Sequence, residues 1–141
     1  MVIKVRYKPG MIPLESIEEG DWIDLRCAGT YKIKAGDWGL IPLGVAMEIP
    51  KGYEAIVLPR SSTFKNYGLI MTNSAGVIDE VYNGDDDFWM FPFYATRDIT
   101  ITKNTRIAQF RLQKHQPQIT FKEVKKLGNK NRGGFGSTGA I

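Results

Sequence analysis

The sequence predicts an all-β domain of many short strands, and three observations carry that prediction. Apolar residues recur at every second position in short runs, the period of a strand with one buried face. Turn residues separate the runs, with Pro9-Gly10, Pro50-Lys51-Gly52, Asn83-Gly84 and Lys103-Asn104 all standing between apolar stretches. A single stretch carries helix signals, and it is brief. Many short strands at this spacing read as a β-sandwich or barrel.

The elements follow in order. Residues 2–7 alternate Ile3, Val5 and Tyr7 with Lys4 and Arg6, and residues 31–34 repeat the pattern before a turn at Ala35-Gly36-Asp37. Residues 22–27, 40–43, 45–49, 55–58, 69–72, 88–95, 99–102 and 107–114 are further candidate strands. The helical candidate is residues 61–67. It starts on the N-cap formers Ser61 and Ser62 directly after Pro59-Arg60 and ends at Gly68, which suits the left-handed position that closes a helix. Such a turn aims free N–H groups at whatever lies above Ser61, and an anion would satisfy them. The plain alternative is a surface turn. Residues 129–141 carry glycine at 133, 134, 136 and 139 and cannot fold alone. Gly134, Gly136 and Gly139 match G-x-G-x-x-G, yet no strand precedes them and no helix follows, so the dinucleotide-binding reading fails. A basic, amide-rich arm remains, with Arg132 as a forked donor and Phe135 as its apolar handle.

Composition narrows the chemistry. At 141 residues and 15.9 kDa the chain is one domain of ordinary size. No apolar run approaches the ~18 to 20 residues of a membrane span, and the charged, alternating start is no secretory signal. Cys27 is the lone cysteine, which excludes an intrachain disulfide and predicts a reducing cytoplasm. One cysteine and one histidine, His115, cannot form a His/Cys zinc site, and a Ser-His-Asp triad has a single candidate base. Metal chemistry therefore falls to carboxylates and a hard ion such as Mg²⁺. The net charge of +4 favours an anionic partner, a nucleotide or a nucleic acid.

Five segments concentrate the remaining unusual residues: Asp21-Trp22-Ile23-Asp24-Leu25, Pro59-Arg60-Ser61-Ser62, Gly76-Val77-Ile78-Asp79-Glu80-Val81-Tyr82-Asn83-Gly84, Arg106-Ile107-Ala108-Gln109, and Arg132-Gly133-Gly134-Phe135-Gly136-Ser137-Thr138-Gly139. In this order they resemble the five motifs of the trimeric dUTP diphosphatases, the dUTPases, over residues 22–139. The third and fifth are long and specific. The first departs from the usual A-G-x-D-L form, since Gly20-Asp21-Trp22-Ile23 stands before Asp24. The resemblance implies a distorted jelly-roll β-barrel subunit with one short helix, spanning residues 1–128, and a flexible arm, residues 129–141, that closes over the active site. It also implies a homotrimer with shared sites, the third motif coming from one neighbour and the arm from another. The implied reaction is Mg²⁺-dependent hydrolysis of dUTP to dUMP and pyrophosphate by water attack on the α-phosphate. That reaction keeps uracil out of DNA and supplies dUMP for dTTP synthesis.

The same resemblance distributes roles. Asp79 is the expected catalytic base, following the buried-looking Val77-Ile78 in a hairpin closed by Asn83-Gly84 that would hold its carboxylate on a rigid element. The Tyr82 ring is expected beneath the deoxyribose, where it would crowd a ribose 2′-hydroxyl. Asn73 and Gly76, with Ser74 and Ala75 between them, would read the uracil edge through backbone groups that cytosine leaves unpaired, and Ile78 joins them as a substrate contact. Arg60, Ser61, Ser62 and Gln109 belong to the phosphate side, with Ser61 near the scissile bond and Arg60 bracing the site. Asp24 is the match for the acid that holds Mg²⁺ through water, with Asp21 as the alternative. Arg106 is expected to orient Asp79 or its surroundings. In the arm, Arg132, Gly136, Ser137 and Thr138 would contact substrate and Phe135 would lie over the uracil as a lid.

Asp85-Asp86-Asp87 has no motif role and is expected as a solvated loop tip, with Phe88 and Trp89 in the core or at a subunit contact. A single-stranded nucleic-acid-binding barrel is the alternative from another class, motivated by the basic charge and sixteen aromatics. It leaves Asp79 and Asp24 unexplained, because carboxylates repel a phosphate backbone. A deoxycytidine-nucleotide deaminase of the same fold is a third reading, opposed by the complete fifth motif. No membrane partner and no stable nucleic-acid partner are expected. Regulatory protein partners leave no readable signature.

Overall fold

The computed structural model describes residues 1–16, 18–134, 136 and 139. Eleven strands and one helix follow in order: β1 (Lys4–Tyr7), β2 (Ile23–Arg26), β3 (Tyr31–Ile33), β4 (Trp38–Pro42), β5 (Val45–Glu48), β6 (Tyr53–Pro59), α1 (Thr63–Tyr67), β7 (Leu69–Met71), β8 (Gly76–Ile78), β9 (Met90–Ala95), β10 (Ile99–Ile101) and β11 (Arg106–Lys114). Each alternating run forms a strand. The strands make four small antiparallel sheets, ordered β1-β5, β10-β3, β2-β11-β6-β8 and β4-β9-β7, wrapped as a distorted jelly roll with no closed barrel among the described residues. One helix of five residues is too short to cross a membrane.

Alternation explains the layering. In β9, Phe91, Phe93 and Ala95 face inward while Met90 and Tyr94 face outward. They meet Leu25, Val57, Ile107 and Phe110 from the four-stranded sheet in one core, where Trp89 packs edge-on against Phe110 with ring centroids 5.2 Å apart. Burial at roughly 1.5–3 kcal/mol per large side chain makes this cluster the main stabilising element.

The helix departs from expectation at its start. Ser62 is the N-cap and makes no side-chain cap bond. The hydroxyl that ties this turn to the body belongs instead to Thr63, which accepts from the Arg60 N–H at 3.0 Å and donates to the Ile107 carbonyl at 2.7 Å. Burial forces that choice, because Thr63 is fully enclosed and its hydroxyl must be paired. Gly68 closes the helix at φ 63°, as expected.

The hairpin expected around Asp79 does not form. β8 pairs only with β6, and the chain beyond Ile78 loops to β9, which pairs with β4 and β7. Gly84 does turn, but with Asp87, whose carboxylate accepts the Gly84 N–H at 2.8 Å while the Asp87 N–H reaches back to the Gly84 carbonyl at 3.1 Å. A side-chain acceptor three residues on thus captures the turn before a second strand can pair. Val77, expected inside, is exposed, because β8 is an edge strand and only its alternate residues face the sheet interior.

Candidate active site

The residues singled out by motif separate into two clusters, one at the Pro59 end of β6 and one beside β8, which pairs with the middle of β6. The first is charged. Asp24 on β2 stands opposite Gln109 on β11, and Arg26 opposite Arg106. Arg106 and Gln109 lie three positions apart, which in a regular strand would put them on opposite faces. A register shift between Arg106 and Ala108 accommodates Ile107 as an extra residue. This bulge brings Arg106 and Gln109 to the face that carries Asp24 and Arg26, while Ile107 turns into the core. At the end of β6, Arg60 joins them with its Nε 3.0 Å from Asp24 Oδ1, and Arg106 Nε lies 3.6 Å from Oδ2 of the same carboxylate. Glu15 extends the chain of ion pairs, 3.2 Å from Arg106 and 3.6 Å from Arg26. Gln109 donates to the Pro59 carbonyl at 3.1 Å, holding the β6 end against β11. Ser61 lies exposed beside this cluster and Ser62 is half-buried.

Glu15 and Arg26 belong to no sequence motif, and only a cross-strand register could have brought them to the site. Within one chain the partners of Arg106 are Asp24 and Glu15. Asp21 separates from Asp24, pairing with Arg111 at 3.2 Å.

The second cluster is largely apolar. A cavity of about 440 Å³ opens beside β8, lined among others by Asn73, Gly76, Ile78, Asp79, Tyr82 and Trp89. The expected nucleoside residues therefore converge on one concavity. Gly76 allows this closeness, because a Cβ there would stand 3.3 Å from Val57 and 3.4 Å from Met71. Ser74 adopts φ 61°, the left-handed region, in the turn where the Ala75 N–H reaches the Asn73 carbonyl at 2.6 Å. Non-glycine residues held there cost about 1–2 kcal/mol and cluster at binding sites. Asp79 follows β8 directly, and its Oδ1 accepts the Val81 N–H at 3.0 Å. The exposed Tyr82 donates its hydroxyl to the Phe88 carbonyl at 3.1 Å.

Register sets the distance between the clusters. Ile78 pairs with Ala55 near the start of β6, whereas Arg60 follows Pro59 at its end. Asp79 and Arg60 are thus offset by six residues of extended chain, about 20 Å. Past Lys114 the chain leaves the sheets, and among the described residues none from 117 to 134 hydrogen-bonds to them. Arg132 is exposed on this segment, and Gly136 has φ 91° and accepts from the Gly139 N–H at 2.9 Å. Phe135, Ser137 and Thr138 lie outside the described residues.

A small jelly-roll domain with an arginine-rich cluster and a separate cavity of about 440 Å³ edged by an aspartate is a β protein of a class with features suited to a nucleotide. Residues 11–139 match the dUTPase family, and the chain belongs to it. It is 56% identical over 140 residues, 99% of each chain, to an SPbeta prophage-derived deoxyuridine 5'-triphosphate nucleotidohydrolase of Bacillus subtilis. A deoxyuridine 5'-triphosphate nucleotidohydrolase of Rickettsia akari is 37% identical, over 96% of this chain and 93% of its own. The fold also matches a Staphylococcus bacteriophage 80alpha dUTPase bound to dUpNHpp, with a TM-score of 0.79 and 19% identity over 98% of both chains. The Streptococcus mutans dUTPase matches with a TM-score of 0.69 and 21% identity, over 82% of this chain and 98% of its own.

Proposed function

We propose that this chain hydrolyses dUTP to dUMP and pyrophosphate in a homotrimer, where the nucleoside cavity of one copy is completed by the charged cluster of a neighbour and the C-terminal arm of another. Family membership and the whole-length relationship to a dUTP nucleotidohydrolase support the reaction. The observation that carries the assembly is the offset of about 20 Å along β6. The water that Asp79 activates and the phosphorus it attacks must lie within about 3–3.5 Å of each other. That offset keeps the charged cluster of one chain away from its own Asp79, which supports a second copy as the source of the phosphate contacts.

In this arrangement uracil meets the backbone of residues 73–76, and Tyr82 beneath the sugar leaves no room for a 2′-hydroxyl. Asp79 takes a proton from water as the water oxygen bonds to the α-phosphorus, and the bond from that phosphorus to the α,β-bridging oxygen breaks to release pyrophosphate. The Val81 N–H already fixes one carboxylate oxygen and leaves the other for the water. Ser61, Ser62 and Gln109 offer donors to the phosphates, and Arg60 braces Asp24 beside them. From the arm, Arg132, Gly136, Ser137 and Thr138 contact the substrate and Phe135 covers the uracil. Residues 1–128 are the catalytic domain and 129–141 the arm.

The donor set bears on Mg²⁺. Each Asp24 oxygen faces a guanidinium, and the cluster sums three arginines against two carboxylates. Such a cluster repels a bare cation and suits an ion that arrives on the triphosphate. The carboxylate keeps lone pairs free to accept from a metal-bound water, so Asp24 fits the outer-sphere role. When bound, Mg²⁺ would neutralise charge on the phosphate chain. A cytoplasmic setting accords with the single buried thiol, Cys27, whose pKa burial pushes upward.

Pyrophosphate release measured with dUTP, dCTP and UTP in the presence of Mg²⁺ tests the reaction, and turnover of dUTP alone is expected. Mixing tests the assembly. Asp79→Asn chains co-refolded with chains lacking residues 132–141 should regain activity, and none at any ratio would argue for self-contained sites.

A further inference from the structure

The acidic run Asp85-Asp86-Asp87 follows the Asp79 motif without a place in the chemistry, yet it lies against Arg6 of β1. We propose that Arg6, supported by Lys8, is a positioning residue for Tyr82 that sets the discrimination between deoxyribose and ribose. The inference rests on the nucleoside reading of the cavity beside β8.

Residues 79–89 gain no position from strand pairing, because β8 ends at Ile78 and β9 begins at Met90. The far end of the segment is tied to the body through the Trp89 backbone, which bonds Leu43 at 2.9 Å and Val45 at 2.8 Å. Between these ends the Gly52 N–H holds the Glu80 carboxylate, and the contacts nearest Phe88 come from β1 and from Lys8 just after it. Arg6 donates to the Asp85 carbonyl, and its Nη1 stands 2.8 Å from Asp86 Oδ1. The same guanidinium lies 5.4 Å from the Phe88 ring centroid, and the Lys8 ammonium lies 4.3 Å from it. β1 itself is fixed by pairing along its length with β5.

Phe88 connects these contacts to the sugar pocket. Its ring is buried against the two cations and lines the cavity, and its carbonyl holds the Tyr82 hydroxyl. Displacing Phe88 therefore displaces Tyr82. Selection by exclusion depends on the placement of a bulky ring, so a looser ring admits ribose before it impairs the reaction at Asp79. The acidic run supplies the counter-charge that draws this segment onto β1. Arg6 and Asp86 are exposed, and such pairs are individually weak, so the device acts as a fine adjustment.

The test is steady-state kinetics with dUTP and UTP on the full chain, accompanied by thermal melting. Arg6→Gln should raise KM for dUTP and lower the dUTP-to-UTP ratio of kcat/KM about threefold, with kcat for dUTP within about twofold of wild type. The Arg6→Gln/Lys8→Gln pair should lower that ratio about tenfold. Asp86→Asn should reproduce part of the Arg6→Gln effect, because Asp85 and Phe88 still hold Arg6, and Arg6→Lys should recover part of the ratio. An unchanged ratio and KM in these variants, with or without a lower melting temperature, would reduce the clasp to a stability element and overturn the proposal. A wild-type chain inactive on dUTP would instead remove the reading on which it rests.

Discussion

The two clusters that share β6 are held in place by different physics. The nucleoside cavity takes its shape from packing: Gly76 lies against Val57 and Met71, Trp89 against Phe110, and the Tyr82 hydroxyl is paired to a carbonyl. The phosphate cluster is ordered by an alternating chain of ions, Arg26–Glu15–Arg106–Asp24–Arg60, with Glu15 well exposed. Packing gives a fixed shape, which suits reading a rigid base and sugar. Paired charges rearrange at low cost, which suits a flexible triphosphate whose charge must be matched at each stage of the reaction.

The comparison is broken most severely by Asp79→Asn. The amide keeps the shape of the cavity edge but cannot accept a proton, so turnover should fall roughly 10²- to 10⁴-fold while a non-hydrolysable dUTP analogue still binds. Retention of more than about a tenth of wild-type turnover would take Asp79 out of the base role. Phe135→Ala comes next. On its proposed role over the uracil, loss of the phenyl ring should lower turnover roughly 10- to 100-fold, the equivalent of about 1.5–3 kcal/mol, while Phe135→Trp keeps much of the rate. Collapse of single-stranded DNA affinity with turnover intact would move the nucleic-acid reading forward.

Salt sharpens the contrast. Raising ionic strength from about 0.05 to 0.5 M should weaken binding of the triphosphate analogue several-fold and leave deoxyuridine nearly unaffected, measured by calorimetric titration. Equal sensitivity of both ligands would erase the distinction between a packed and an ionic half. Ser74→Gly carries the smallest effect. Relief of the left-handed strain at φ 61° should stabilise the folded chain by about 1 kcal/mol in denaturant melts. Unchanged stability would mean that the Asn73–Ala75 turn relaxes without cost.

What was legible in the sequence follows from the range of each interaction. The strands were visible because alternation is local, as in β9, and Gly68 marked the helix end for the same reason. The first four motifs contain most of the residues of both clusters. The Asp79 hairpin was misread because Asn83-Gly84 suggests a turn without specifying its partner, and the Asp87 carboxylate claimed it. The face of Arg106 depended on a bulge opposite β2, and the neighbourhood of Glu15 on pairing between residues 91 positions apart. Such facts reside in register, which periodicity does not encode.

The shared site proposed above would also tie catalysis to the amount of protein. A self-contained enzyme keeps its activity per molecule on dilution, but a site built from several chains loses it as soon as the copies separate. Specific activity should therefore drop at low enzyme concentration and recover with added substrate, because a nucleotide that bridges two copies favours their association. In a cell holding few copies, synthesis of the chain would switch activity on with a threshold steeper than proportional.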